Sequence, residues 1–475
     1  MLEICKFFFQ SLNEQGVKYC HWKSNAHLEE ALNGETDLDI LVLPADKEVF
    51  CKIVSQSAMK EVLSPPAKRF PGMADYLGFD HETGKTIHLH VHYKLILGQK
   101  YIKNHHLPIE DVLFDNLILK KGVYVPCPEL ELVMLIIRAH MKVDMLSLFK
   151  HGVKDLMRGK YTAFPASIED EFCQLISESR QEKICEILQQ CRLPVRQNVF
   201  LDFIGKFSSQ MLKWHNIASV QQHMLLRLKG YRRRKSLNVY FLYLYLLVVN
   251  SVLFSSFCRP KRKTVVGSGK VISLVGADGS GKSTLIAELN RWLGWKLSAK
   301  QYYYGIPKTI DLKIVSYLIR ALQKCRLPTA AIIVENFLWF YIARYRWRIS
   351  KLTQRATQKG ITVITDRFPL KEFQSMPEPM DGPRISKCLS LPIPALAKAE
   401  EGYYAKIPYP TKAFVLQVSI EELRRRKRDL SLATHKVKAD AVNALAECEH
   451  ISLIDANRPY PDVMLDVKRQ IWALI

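Results

Sequence analysis

A glycine-rich loop at residues 276–284, Gly-Ala-Asp-Gly-Ser-Gly-Lys-Ser-Thr, carries the residues with the clearest chemical potential. Its glycines let successive backbone N–H groups point inward at phosphate oxygens. Lys282 would then reach the β- and γ-phosphates of a nucleotide, and the Ser283 hydroxyl would ligate Mg²⁺. The spacing Gly-x-x-x-x-Gly-Lys-Ser therefore predicts a site for ATP with Mg²⁺. The residues predicted to bind the nucleotide are Gly276, Asp278, Gly279, Ser280, Gly281, Lys282, Ser283 and Thr284.

The segments on both sides of this loop are of the kinds that such a loop needs. An apolar run at 271–275 predicts a buried parallel strand, and 282–289 predicts a helix. The N-terminal dipole of that helix would face the same phosphates. This context argues against a chance match in a glycine- and serine-rich loop.

A second candidate pair, Asp366 and Arg367, ends another predicted strand within residues 360–368. Parallel sheets bind ligands at the carboxyl ends of their strands, so Asp366 is placed to help hold Mg²⁺, directly or through water. Arg367 can form two parallel hydrogen bonds to an acceptor phosphate, which a lysine could not. The alternatives are a helix N-cap for Asp366 and an ordinary surface position for Arg367.

These motifs resemble those of thymidylate kinases. That family carries an aspartate two residues after the first loop glycine, as Asp278 does here, and an Asp-Arg-aromatic motif like 366–368. The resemblance covers residues 270–475, where a predicted strand at 451–457 and the helix after it are similar to the family's last elements. It implies a P-loop kinase fold with a parallel sheet, in which Lys282, Asp366 and Arg367 act in phosphoryl transfer. It is compatible with a dimer, although the sequence leaves the oligomeric state open.

The resemblance also implies a basic lid that clamps the transferred phosphoryl group. A predicted strand at 413–418 leads into a helix that carries basic residues at 424–428, of which Arg424 and Arg428 are the candidate catalytic residues. A solvated basic helix face is the alternative. Residues 380–385 are unlike the family's base site, so we expect a small-molecule or carbohydrate acceptor other than thymidine monophosphate.

Near the N-terminus, Asp37 and Asp39 alternate with apolar residues on a predicted strand at 34–43. Alternation places both carboxylates on one face, where they can hold Mg²⁺ between a triphosphate and an acceptor. On a second predicted strand, His88, His90 and His92 also share one face. These histidines could complete a metal site or bind phosphate, or they could form a solvent-facing polar edge.

This arrangement resembles the DNA polymerase β-like nucleotidyltransferases, which have a serine-containing turn, a helix and Asp-x-Asp on a strand. Ser24 takes the place of the family's serine, while Lys23 stands where the family has glycine. The strand at 86–92 has no aspartate to serve as the family's third carboxylate. The resemblance implies a domain that binds a nucleotide or phosphorylated ligand, with or without nucleotidyl transfer.

A chain of 475 residues is too long for one core, and its patterns predict an α/β multidomain protein. We expect a nucleotidyltransferase-like α/β domain at 1–125, a helical connector at 126–235, a linker at 236–264 and the kinase domain at 265–475. Within the connector, a helix at 128–142 could bring Arg138, His140 and Lys142 to the cleft of Asp37 and Asp39.

The net charge of +23 is unevenly distributed, with 14 basic and 16 acidic residues in 1–125 but 33 basic and 19 acidic in 265–475. The basic half suits polyphosphate ligands and an anionic surface, and no signature favours specific nucleic-acid binding. The 11 cysteines are scattered and never in Cys-x-x-Cys spacing. Together with the absence of a recognisable secretory signal, this predicts a cytoplasmic protein.

Residues 236–258 carry no charge and are long enough to cross a bilayer, but basic segments at 229–235 and 259–263 flank them on both sides. Two positive flanks contradict a single crossing. We therefore expect a helix on anionic lipid, at the cytoplasmic face of the membrane, or one buried between domains.

Three functions remain open from the sequence. The first is phosphotransfer from ATP·Mg²⁺ to a phosphate or hydroxyl of a small molecule or carbohydrate; the pairing of domains is similar to that in bacterial proteins of surface-polysaccharide assembly. The second is a nucleotide-gated binding protein at the membrane. The third is nucleotidyl transfer through Asp37 and Asp39, with the kinase half as an accessory.

Overall fold

The protein is represented by a computed structural model that describes residues 1–99, 102–143, 164–249, 260–307, 310–374, 381–386, 391–426 and 439–475. The chain divides into two compact units, Met1–Ser256 and Phe257–Ile475. Both units combine helices with a sheet, and the second sheet is parallel, which confirms the predicted α/β multidomain fold.

The first unit contains a mixed sheet with the strand order β1-β2-β5-β4-β3. Only the central pair, β2 and β5, runs parallel. Two short hairpins follow it in the chain. The strands are β1 Tyr19–His21, β2 Asp37–Val42, β3 Lys60–Leu63, β4 Met73–Phe79, β5 Thr86–His92, β6 Ile96–Leu97, β7 His105–His106, β8 Leu117–Lys120 and β9 Val123–Pro126.

Alternation along β2 and β5 separates an apolar face from a polar one, as the sequence predicts. Leu38 and Leu89 are fully buried, and they join a core with Phe8 and Phe50 from two helices. The intervening polar residues are left on the opposite face, so the sheet itself brings the aspartates and histidines together.

The described helices of the first unit include the predicted helix at 128–142, which is buried from Glu129 to Met141 and begins with Pro128 in its first turn. The helices are α1 Glu3–Glu14, α2 Leu28–Leu32, α3 Lys47–Gln56, α4 Glu110–Asp115, α5 Pro128–Lys142, α6 Ala166–Glu178, α7 Gln181–Cys191, α8 Gln197–Ser208, α9 Trp214–Arg227 and α10 Ser236–Val249. Helices α6, α7 and α9 pack against α5, and α1 and α3 contribute to the core under the sheet.

The second unit is built on a five-stranded parallel sheet with the order β12-β13-β11-β14-β15. Strands β11, β13, β14 and β15 are mostly buried, as expected within a parallel sheet, whereas the edge strand β12 is only partly buried. The elements are the strands β10 Thr264–Val265, β11 Val271–Gly276, β12 Ala299–Tyr303, β13 Thr362–Asp366, β14 Lys412–Gln417 and β15 Ile451–Asp455, and the helices α11 Lys282–Gly294, α12 Ile310–Lys324, α13 Pro328–Thr357, α14 Lys371–Gln374, α15 Pro394–Ala405, α16 Ile420–Arg426 and α17 Tyr460–Leu474.

Strand order decides where the second unit can bind a ligand. β11 lies between β13 and β14, with Leu274 opposite Asp366 and Gly276 opposite Leu416. After β11 the chain continues to β12 at one edge of the sheet, whereas after the neighbouring strand β14 it continues to β15 at the other edge, and this divergence opens a crevice at the carboxyl ends of β11 and β14. The glycine-rich loop begins at the carboxyl end of β11.

The apolar segment predicted at 236–258 is described only as far as α10. Tyr240, Phe241 and Tyr245 of this helix have more than half of their surface exposed. None of the helices in the described ranges combines the length and the hydropathy that a membrane crossing requires. Residues 250–258 lie outside the described part of the chain.

Candidate functional site

The glycine-rich loop curls around the amino group of its own lysine. Lys282 Nζ donates to the carbonyl oxygens of Gly276 at 2.8 Å and Ala277 at 2.7 Å. Gly279 and Gly281 have φ values of 94° and 93°, in the left-handed region that other residues avoid. The geometry is that of a phosphate cradle, since α11 begins at Lys282 with its free N–H groups at the same place.

Asp366 ends β13 beside this loop, and its environment fits a cation ligand. Its Oδ1 atom is buried and has no hydrogen-bond partner within the described ranges. Burial raises the pKa of Asp366, while the positive charges of Lys282 and Arg367 oppose that shift. A buried carboxylate oxygen without a partner is a costly arrangement that a bound Mg²⁺ would relieve. Ser283, exposed in the first turn of α11, is the second predicted ligand.

Arg367 and Asp278, predicted from separate motifs, form an ion pair across the crevice. Arg367 Nη2 lies 2.8 Å from Asp278 Oδ1. Arg367 has a φ of 56°, a backbone conformation that costs about 1–3 kcal/mol for a non-glycine residue. This backbone turn after β13 directs the Arg367 guanidinium toward the glycine-rich loop.

A cavity of about 730 Å³ opens next to these groups. Cationic side chains outnumber acidic ones on its walls, and tyrosines contribute flat surface. It lies between the strand ends and α12. Its lining comprises Val275, Gly276, Asp278, Lys282, Tyr303, Ile306, Pro307, Leu312, Lys313, Ser316, Tyr317, Arg320, Arg367, Asp381 and Arg384.

A buried arginine that the sequence analysis missed supports one wall of the cavity. Arg346, at the middle of α13, has 1% of its side chain exposed and pairs with Asp381 Oδ1 at 2.8 Å. It also donates to the Tyr304 carbonyl oxygen at 2.6 Å and to the Tyr404 hydroxyl at 2.6 Å. Arg346 therefore holds Asp381 at the site. No local pattern in the sequence identifies it.

Arg384 is a second residue that the sequence analysis did not assign. Its guanidinium lies over the ring of Trp339, 4.5 Å from the centroid. Its backbone N–H donates to both carboxylate oxygens of Glu400 at 3.1 Å. The residue is thus fixed by an aromatic ring and a buried glutamate while it lines the cavity.

The predicted basic lid is only partly described. Arg424 lies on α16 and is exposed, and it does not belong to the lining of the cavity. Its neighbours Arg425 and Arg426 pair with Glu422, both at 2.7 Å. Arg428 lies outside the described residues, so its predicted role has no structural counterpart here.

In the first unit, the two predicted aspartates have different partners. Asp37 Oδ1 lies 2.9 Å from His88 Nδ1. Asp39 Oδ1 lies 2.8 Å from the ammonium group of Lys23. Burial tends to raise the pKa of Asp39, but Lys23 and the neighbouring histidines hold it well below its usual range. The strand register places Asp37 beside His88 and Asp39 beside His90, so these predicted residues do come together.

A third carboxylate lies on β4, a strand that no sequence motif singles out. Asp75 on β4 is directly opposite His90. Asp75 Oδ1 lies 2.6 Å from His90 Nδ1 and 3.1 Å from His88 Nε2, and Ser64 donates to its other oxygen at 2.8 Å. Only the pairing of β4 with β5 could have identified this aspartate.

Ser24 and the helix α5 meet at the same polar face. Ser24 has a φ of 59°, and its Oγ atom lies 3.4 Å from Arg138 Nη1. Arg138 forms two hydrogen bonds with the buried Glu171, at 2.9 and 3.1 Å. His140, the neighbouring candidate on α5, is fully buried, and its Nδ1 hydrogen-bonds the Ile136 carbonyl oxygen inside the helical core.

Comparisons with known proteins give limited similarity. No family model matches the chain. Over 217 residues the chain is 25% identical to YghR of Escherichia coli (strain K12), named an uncharacterized ATP-binding protein, and this match covers 42% of the chain and 86% of YghR. YghR of strain CFT073 gives the same values. Among solved structures, thymidylate kinase from Candida albicans is similar at 17% identity and a TM-score of 0.28, over 44% of this chain and 91% of that one.

Proposed function

We propose that the second unit is an ATP-dependent phosphotransferase of the P-loop kinase type. The observation that carries this proposal is the buried, unpartnered Oδ1 of Asp366 beside the loop that holds Lys282. Together they supply a cation ligand and a phosphate-binding lysine at one end of a parallel sheet. The similarity to a protein named as ATP-binding supports the ATP-binding part of this proposal.

Different residues of the site would bind ATP, Mg²⁺ and the acceptor. The loop N–H groups and Lys282 bind the phosphates of ATP, and Lys282 stabilises the negative charge that develops on the transferred phosphoryl group. Asp366 and Ser283 would hold Mg²⁺, which neutralises phosphate charge when it is bound. Arg367 positions the acceptor, and its pair with Asp278 keeps the guanidinium oriented before the acceptor arrives.

The cavity supports an anionic acceptor, such as a phosphorylated small molecule or carbohydrate. Lys313, Arg320 and Arg384 add positive charge beyond the groups that ATP would engage. Tyr303 and Tyr317 offer surfaces on which a ring can pack. A hydroxyl of the acceptor would find a hydrogen-bond acceptor in Asp278 or Asp381.

The cellular setting that we propose is the cytoplasmic face of a membrane, in surface-polysaccharide assembly. The membrane part of this proposal rests on the exposed aromatic residues of α10 and the basic segments that flank the apolar stretch, and the polysaccharide part rests only on the similar pairing of domains in proteins of that process. Anionic lipid attracts such segments, and exposed aromatic rings favour the lipid interface.

Nucleotidyl transfer by the first unit is the second candidate function. It is favoured by three carboxylates, Asp37 and Asp39 on β2 and Asp75 on β4, the two strands that flank β5. A metal-dependent nucleotidyltransferase needs acidic ligands on one sheet face, and Asp75 adds the carboxylate that the sequence pattern lacked.

Product analysis with labelled ATP tests both candidates. The full chain is incubated with Mg²⁺, a pool of phosphorylated sugars, and ATP labelled in either the α- or the γ-phosphate. The kinase proposal expects γ-label on an acceptor, and Lys282→Ala should remove it. Release of free phosphate alone would contradict phosphotransfer and support a nucleotide-gated binding protein. Transfer of α-label that survives Lys282→Ala would support the first unit as the enzyme.

A further inference from the structure

Two neighbouring strands of the first unit place a carboxylate and two imidazoles in one cluster. Asp39 lies on β2, and His90 and His92 lie on the adjacent parallel strand β5. Each residue offers one ligand atom, and these atoms lie within 4.8 Å of one another. Asp39 and His90 are partly exposed, so the cluster can be reached from solvent.

His92 is the residue whose surroundings point to a ligand. It has 1% of its surface exposed, and neither ring nitrogen has a hydrogen-bond partner in the part of the chain that the structure describes. Its Nε2 atom lies 3.8 Å from Asp39 Oδ1, beyond hydrogen-bond distance. A buried imidazole without partners is destabilising, whereas a metal ion bound to one nitrogen would satisfy it.

His90 is held in the orientation that a metal ligand needs. Its Nδ1 atom lies 2.6 Å from Asp75 Oδ1, and Asp75 is itself fixed by Ser64. Metal-binding histidines commonly give one ring nitrogen to a carboxylate while the other binds the metal. Asp75 leaves His90 Nε2 available in this way.

We propose that Asp39, His90 and His92 form a binding site for a divalent transition metal ion such as Zn²⁺, with Asp75 as the positioning residue for His90. Two imidazoles and one carboxylate are a ligand set for Zn²⁺ or Fe²⁺, whereas Mg²⁺ prefers oxygen ligands. Three protein ligands leave a coordination position open for water or a substrate. This ligand set differs from the Asp37 and Asp39 pair that a nucleotidyltransferase would use for Mg²⁺.

Lys23 would compete with a bound metal ion for the Asp39 carboxylate. Its ammonium group lies 2.8 Å from Asp39 Oδ1, where it neutralises the carboxylate. A bound metal ion would repel this ammonium group, and the flexible lysine side chain would have to turn away. Removal of the Lys23 charge should therefore leave metal affinity at least as high as in the parent protein.

Metal binding by the full chain, measured without nucleotide, tests the proposal. The protein is dialysed against Zn²⁺, Co²⁺ or Mg²⁺, and bound metal is quantified at increasing free concentration. Visible absorption of bound Co²⁺ separates imidazole and carboxylate ligands from the free cysteine thiolates, which add a near-ultraviolet band. The variants are Asp39→Asn, His90→Gln, Asp75→Asn and Lys23→Met, with His106→Gln as a control, because His106 pairs with Glu110 away from the cluster.

We expect about one equivalent of Zn²⁺ or Co²⁺ per chain in addition to any thiolate-bound metal. Asp39→Asn and His90→Gln should weaken this binding by about a hundredfold or more, and Asp75→Asn by about 10- to 100-fold. Lys23→Met should not weaken it, and His106→Gln should match the parent. Equal binding by the parent and His90→Gln, or Mg²⁺ binding as tight as Zn²⁺ binding, would overturn the proposal. Circular dichroism confirms that each variant is folded.

Discussion

Arg367 Nη2 lies 2.8 Å from Asp278 Oδ1, although the two residues are 89 positions apart in the chain. The pair joins the glycine-rich loop after β11 to the end of the neighbouring strand β13. Both side chains are partly exposed, at 33% and 28%, so their attraction contributes little to stability. Its importance is the orientation that it gives to Arg367 at the mouth of the cavity.

Arg367→Ala should therefore change acceptor binding more than ATP binding. We expect the acceptor KM to rise about tenfold or more, because a guanidinium that binds phosphate through two hydrogen bonds is lost. Asp278→Asn should raise the same constant, since it removes the carboxylate that orients Arg367 and weakens a hydrogen-bond acceptor for a hydroxyl of the acceptor. Initial rates at varied ATP and acceptor separate these effects. An equal loss of ATP affinity in both variants would contradict an acceptor role for Arg367.

Lys282→Ala tests the nucleotide site directly. The Lys282 ammonium group stabilises the transition state of γ-phosphoryl transfer by a few kcal/mol. Its removal should therefore lower turnover at least about a hundredfold. The measurement is γ-label transfer or phosphate release by a variant that melts as the parent does. Lys324→Ala, an exposed lysine in the last turn of α12, is the matched control and should retain full activity. Full turnover in Lys282→Ala would end the kinase interpretation.

Asp366→Asn should stabilise the protein while it lowers activity. Burial raises the pKa of Asp366, so the folded state holds the proton more tightly than the unfolded state does. Stability from this group is then complete below the unfolded pKa and is lost as the pH rises through the raised folded value. Asparagine mimics the protonated form, so without ATP and Mg²⁺ the variant should melt at a higher temperature at neutral pH.

The same variant should need more Mg²⁺ for half-maximal rate, because an amide is a weaker ligand than a carboxylate. In the parent protein, Asp366 should take up its proton at a higher pH than an ordinary aspartate does, because its pKa is raised. The Mg²⁺-dependent rate should therefore begin to fall at a correspondingly higher pH on acidification. Melting curves and Mg²⁺ titrations at pH 5 and pH 7 make both checks. A stability difference that is larger at pH 5 than at pH 7 would have the wrong sign for this explanation.

The site residues that could be predicted from the sequence are those whose positions are set by local pattern. Lys282, Asp366 and Arg367 each follow an apolar strand, and the carboxyl ends of parallel strands share one edge of a sheet. Asp37 and Asp39 are predictable for the same reason, since alternation alone puts them on one face. In each case, the position of a residue along its strand determines where its side chain lies in the fold.

The residues that escaped prediction depend on long-range packing. Arg346 stands between the exposed Arg344 and Arg348, and the sequence does not distinguish a buried arginine from its solvated neighbours. Asp75 becomes a partner of His90 only through the antiparallel pairing of β4 with β5. Such contacts follow from how strands and helices assemble, which local periodicity does not contain.

The exposed aromatic residues of α10 lead to a prediction about lipid. If the segment after 236 rests on a membrane with the help of its basic flanks, the full chain should bind vesicles that contain anionic lipid and leave them as salt rises. Co-sedimentation from about 0.05 to 1 M NaCl measures this. Tyr240→Ser with Phe241→Ser should weaken binding, because the exposed rings would no longer enter the interface. Binding that resists both high salt and alkaline washing would contradict a peripheral association.

Arg346→Met should destabilise the second unit and change the acceptor site. The substitution keeps an unbranched apolar stem but leaves Asp381 and the Tyr304 carbonyl oxygen without their donor. Removing one member of a buried pair typically costs about 3–5 kcal/mol, and the partial exposure of Asp381 places the expected loss near the lower limit. Urea denaturation should show this as a lower midpoint. Arg344→Met, an exposed position on the same helix, should change stability by less than about 0.5 kcal/mol. In the folded variant, the acceptor KM should rise while ATP affinity stays the same, because Asp381 lines the cavity and does not belong to the phosphate loop. Equal denaturation midpoints for the two variants would show that the Arg346 contacts contribute nothing to holding that wall.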